Sequence, residues 1–135
     1  MERYKKGANA ERELIHTLFK MGFSVARVAG SGATSLPCPD ILALKPEKQL
    51  AFECKAWAQS YLTIADAQMQ ELQQWSKQAG VDFYVAWKVP RKGWIFLKPR
   101  HFNKTAKGYC VSQKHALRNG INLGVIAGQQ SQIKV

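Results

Sequence analysis

At 135 residues and 46% hydrophobic content, the chain is long enough for one domain with its own core and too apolar to be disordered. Lys and Arg number 20 against 9 Asp and Glu, a net charge of +11, and no acidic residue follows Asp82. A field of that sign attracts polyanions, so nucleic acid is the expected partner, ahead of an anionic membrane, for which no basic amphipathic helix stands out. Cys38, Cys54 and Cys110 form no Cys-x-x-Cys pair, and no segment approaches the roughly 18 apolar residues of a membrane span. The first argues against a disulfide framework and a structural zinc site, and a soluble, cytoplasmic protein is expected.

Residues 8–21 read as a helix, with Leu14, Ile15, Leu18, Phe19 and Met21 on one arc and Gly22 as its stop. Residues 23–29 form a strand, and residues 30–35, rich in Gly and Ser, a mobile loop closed by Pro37 and Pro39. Residues 40–44 and 49–57 read as a hairpin about a turn at 45–48. Thr63 and Asp66 have the spacing of a capping box for a helix running to Ala79, with Ala65, Leu72, Trp75 and Ala79 as its apolar stripe. Residues 81–89 and 94–97 form a second hairpin. The order α-β-β-β-α-β-β predicts an α/β fold, a mixed central sheet flanked by helices. Beyond Pro99 the pattern blurs, and short irregular pieces are expected.

The chemistry centres on Phe52-Glu53-Cys54-Lys55-Ala56. Alternation along a strand puts Glu53 and Lys55 on one face and Phe52, Cys54 and Ala56 on the other. Taken alone, Glu53 and Lys55 read as an exposed ion pair. Asp40 opens the partner strand at the end away from the turn, where its side chain can meet Glu53. Two carboxylates held together repel one another, and a hard divalent cation such as Mg²⁺ relieves that repulsion. Lys55 then stands where it can hold an attacking water or meet developing negative charge. Glu11 falls in the middle of the first helix's apolar arc, a costly place for a carboxylate unless it is paired or bound to metal; fraying, or pairing with Arg12, is the alternative. Gln68 lies among the apolar positions of the second helix, either lining the site, touching DNA or simply satisfied in the core. The Gly-Ser loop carries no phosphate-cradle pattern, and His16, His101 and His115 lack ligand spacing.

Pro39-Asp40 followed by Glu53-Cys54-Lys55 resembles the PD-(D/E)xK nuclease superfamily, whose fold is restriction-endonuclease-like. The flanks are more specific. Residues 6–14, 22–32 and 37–41, with Tyr61-Leu62, Ala86-Trp87-Lys88 and Gly93-Trp94-Ile95-Phe96, resemble the archaeal Holliday junction resolvases. The likeness covers residues 3–98, within a single nuclease domain spanning 1–135, and leaves 99–135 as an extension. It implies an archaeal or viral source, and a homodimer that makes paired cuts in opposed strands of a four-way DNA junction. It further implies Mg²⁺ or Mn²⁺ held by Glu11, Asp40 and Glu53, with Lys55 as the catalytic lysine. Ser31 in the loop, and Arg12, Arg27 and Lys88, correspond to residues used on DNA. Ala56-Trp57, where the family often has polar residues, departs from its pattern. A repair or restriction nuclease on the same fold, or a DNA-binding module without catalysis, is the rival reading. Trp87, Trp94 and Phe96 are candidates for a dimer contact or for plain core.

Overall fold

The computed structural model describes the backbone of residues 2–28 and 36–128, and side chains from residue 7 onward. Helix α1 (Glu2–Lys20) leads into strand β1 (Ser24–Arg27), then β2 (Ile41–Lys45), β3 (Lys48–Ala56) and a short β4 (Tyr61–Ile64). Helix α2 (Asp66–Ala79), β5 (Asp82–Val89) and β6 (Gly93–Leu97) follow. After a single 3₁₀ turn (Pro99–His101) come β7 (Asn103–Thr105), β8 (Gly108–Ser112), α3 (Gln113–Asn119) and α4 (Leu123–Ile126).

The main sheet has the order β1-β2-β3-β5-β6. Only β3 and β5 run parallel, because only they are joined by a crossover long enough to hold a helix. Such a sheet must be covered on both faces. On one face α1 sets Leu14 and Leu18 against Ile41, Ala43, Leu50, Phe52, Ala86 and Phe96. On the other, α2 sets Met69 and Leu72 against Ala51, Val85, Trp87 and Leu97. The long central strand β3 thus feeds both cores, Leu50 and Phe52 into one and Ala51 into the other.

The mixed sheet with flanking helices is the architecture the sequence predicts; several local expectations are corrected. Thr63 is no cap. It lies in β4, its hydroxyl donates to Cys110 Sγ at 3.5 Å, and the residue before α2 is Ala65, whose side chain has nothing to offer the helix end. The buried positions of α2 are Met69, Leu72 and Ser76, while Ala65 and Ala79 are exposed. Phe19, expected in the α1 stripe, is 69% exposed, at the far edge of an arc whose centre is filled by Leu14 and Leu18. Trp87 and Phe96 are fully buried core residues and offer no surface to a partner.

The largest difference lies beyond Pro99. In place of irregular pieces, β8 pairs with both β7 and β4 to make a second, three-stranded sheet. This sheet places Leu62, Ile64 and Val111 in the core beneath α2. Strands of three to five residues are too short for period-two alternation to show, and β4 finds its partner nearly fifty residues away.

Candidate metal and catalytic site

The β2–β3 register pairs Ile41 with Phe52, so one step further Asp40 faces Glu53. Asp40 stands just before β2, yet its backbone is clamped on both sides. Its N–H donates to the Phe52 carbonyl at 2.9 Å, and its carbonyl accepts from the Val28 N–H at 2.8 Å. Alternation along β3 turns Glu53 and Lys55, like Ala51, toward α2. Asp40 Oδ2 accepts the Cys54 N–H at 2.8 Å. Lys55 Nζ lies 3.6 Å from Glu53 Oε2, and Gln68 Nε2, reaching down from α2, donates to the same oxygen at 3.2 Å. The structure therefore brings together Asp40, Glu53, Lys55 and Gln68.

Glu53 is 6% exposed, and beside Ser76 it stands out as a buried polar residue among the described ones. Burial, then the adjacent Asp40 carboxylate, pushes its carboxyl up to about 8, against the opposing pull of Lys55. Lys55 offsets only part of that burial and repulsion, which leaves the pair short of positive charge. That deficit is what a hard divalent ion with oxygen ligands removes, so the donor set fits such an ion. Cys38, two residues before Asp40, shares the surroundings: burial and then both carboxylates raise its thiol.

Glu11 departs from expectation. It is partly buried on α1, as its place in the apolar arc predicts, but its Oε1 accepts from Arg27 Nε at 3.2 Å. Among the described residues no three of His, Cys, Asp and Glu gather closely enough to hold a metal. The expected three-carboxylate cluster is therefore not assembled: Asp40 and Glu53 meet, and Glu11 is held by Arg27. Lys88 is likewise engaged, with Glu13 Oε1 at 2.6 Å. Arg12 is exposed and holds Asn9 at 3.0 Å, not Glu11. Ser31, with the loop at 30–35, lies outside the described residues.

A mixed sheet covered by helices, with Asp, Glu and Lys at the mouth of its central hairpin, defines a nuclease with a restriction-endonuclease-like core. The model of the family described as archaeal Holliday junction resolvase (Hjc) matches residues 2–134. The crossover junction endodeoxyribonuclease Hjc of Archaeoglobus fulgidus is 34% identical over 124 residues, 92% of this chain and 90% of its own length. Its namesake from Methanocaldococcus jannaschii is 29% identical over 133 residues, 98% of this chain and 95% of its own. The 1.6 Å structure of A. fulgidus Hjc, described as a Holliday junction resolvase from an archaeal hyperthermophile, superposes with a TM-score of 0.82 at 31% identity. The match covers 94% of this chain and 99% of that one. The chain belongs to the archaeal Holliday junction resolvase family. Membership in a resolvase nuclease family implies a divalent metal. No helix among the described residues is long and apolar enough to cross a membrane.

Proposed function

We propose that this chain cuts four-way DNA junctions as a homodimer, one nick in each of two opposed strands, using Mg²⁺, for which Mn²⁺ can substitute. The observation that carries the chemistry is the buried Glu53 against Asp40, with Lys55 3.6 Å away. Family membership carries the choice of a junction as substrate.

Asp40 and Glu53 are the cation's ligands in this reading. When bound, the ion supplies positive charge to the scissile phosphate and lowers the pKa of a water. Lys55 holds its ammonium beside Glu53, where it orients a water or meets the charge that develops on phosphorus oxygens. Gln68 fixes the Glu53 carboxylate from α2 and keeps that oxygen aimed at the site. Glu11 serves as a further ligand only once Arg27 releases it; a DNA phosphate offers Arg27 an alternative anion. Arg12 and Lys88, with the loop residue Ser31, are DNA contacts in the same reading. Arg91, Lys92, Arg100, Lys107, Lys114 and Arg118, all exposed, supply the sequence-independent attraction to duplex arms.

The test is incubation with a synthetic four-way junction and with matched linear duplex, in Mg²⁺ or in EDTA. Paired symmetric nicks in the junction, in Mg²⁺ only, are expected. Equal cutting of linear duplex would transfer the chain to a repair or restriction activity.

A further inference from the structure

Immediately beyond Lys55 the chain forms a cleft of about 400 Å³ that the chemistry above does not use. Its walls are Cys54, Lys55, Trp57, Gln59 and the small residues Gly7, Ala56 and Ala58. Among the described residues, a Cβ added at Gly7 would meet nothing within 4 Å. Trp57 is half-buried, with part of its ring against the core beneath α2. Its carbonyl accepts the indole N–H of the fully buried Trp87 at 2.8 Å, which ties the backbone here to the core. Its own indole N–H donates to the Gln59 side-chain oxygen, which fixes the plane of the ring. An indole held through its backbone and its ring N–H, lining a cleft beside three small residues, is preorganised for a flat ligand. The lysine at its edge suits a ligand attached to phosphate.

We infer that this cleft binds one unstacked nucleobase next to the scissile phosphate, with the Trp57 indole as its stacking platform. The inference rests on the junction-cutting reading. Every base has a π-face, so a stacking platform is tolerant of sequence. What it does demand is a base free to leave its neighbours, which an intact duplex does not offer and a branch point does. The cleft therefore selects for structure within each subunit, apart from any selection by the spacing of two active sites.

Two measurements on the full chain test this. In the first, 5-iodouracil is placed at each nucleotide flanking the branch point and irradiated with the wild-type protein in EDTA, and the crosslinked peptide is identified by mass. A crosslink to Trp57 on the junction, and none on a linear duplex of the same sequence, is expected. No crosslink to Trp57, or an equal one on duplex, overturns the inference. In the second, junction-over-duplex preference is measured by competition binding. Trp57→Ala should lower that preference about tenfold, the lower part of the range for losing one stacked base. Trp57→Phe should restore most of it, because a smaller ring still stacks. No change in Trp57→Ala, or an equal loss in Trp57→Phe, overturns the inference. The same wild-type preparation is assayed for cutting in Mg²⁺; if it cuts junctions while Trp57 fails these tests, only the stacking site falls.

Discussion

Glu53 is an acid whose folded-state carboxyl is raised to about 8 from an ordinary 4.5. Between those values the folded protein keeps a proton that the unfolded chain has released, so stability falls as pH rises through the folded value. Glu53→Gln removes this dependence. Subtracting the variant's metal-free melting curve from the parent's should show the parent losing ground from about pH 5 to about pH 8. A parallel pair of profiles would show that Glu53 is charged in the fold at neutral pH. The same variant, and Asp40→Asn, should abolish cutting while gel-shift affinity for a junction persists, since each removes a proposed metal ligand and no contact to phosphate. Lys55 acts on chemistry: Lys55→Ala should lower the single-turnover rate on the order of a hundredfold with metal saturating, the scale of losing one preorganised stabiliser. A rate within threefold of the parent would remove Lys55 from the mechanism.

At the scale of elements, the site depends on how β3 is held between its neighbours and on how α2 is held above it. Gln68 reaches Glu53 only because α2 sits over the β3–β5 pair, and α2 is packed in turn against the small sheet β4-β8-β7. The tightest point of that packing is Gly108, at the start of β8. Its φ is +122°, and a Cβ there would lie 2.5 Å from the Ile64 carbonyl oxygen and 3.0 Å from the Asp66 backbone nitrogen. Both are backbone atoms that cannot swing away. Gly108→Ala should therefore destabilise the fold by about 2–4 kcal/mol, the range of a strained backbone plus a steric clash. A denaturant melt reads it directly, and an unchanged midpoint would mean that the β7–β8 hairpin is only loosely attached.

For the whole molecule, the net charge of +11 and the acid-free stretch after Asp82 make duplex affinity steeply salt-dependent. Raising salt should weaken binding of linear duplex and junction together and leave the preference for the junction nearly unchanged, because that preference comes from shape. A preference that vanishes with salt would mean that charge alone makes the choice. Paired cuts call for two active sites at a fixed separation, so light scattering at micromolar concentration should give a dimer. With Trp87 and Phe96 in the core, its contact surface must come from residues exposed in this fold. A monomer that still makes symmetric paired cuts would overturn this account.

Apart from β4, the order of helices and strands through Leu97, with the mixed sheet, the polyanion partner and the Asp40, Glu53 and Lys55 set, is legible in the sequence alone. Each rests on a local rule: the 3.6 and 2.0 periods of core-facing residues, the strand alternation that pairs Glu53 with Lys55, and the turn that folds β2 back onto β3. What the tertiary structure decided is non-local. Thr63 has the right spacing for a cap, but β8 captures it as a strand, and that pairing spans a separation no local period records. Glu11 lies in the buried arc as its helix predicts, but its partner is Arg27 on a different element, and only packing fixes which cation reaches it. The raised Glu53 carboxyl follows first from burial beneath α2. Sequence sets which side chains share a face; desolvation and charge pairing across elements depend on what the folded chain lays over that face.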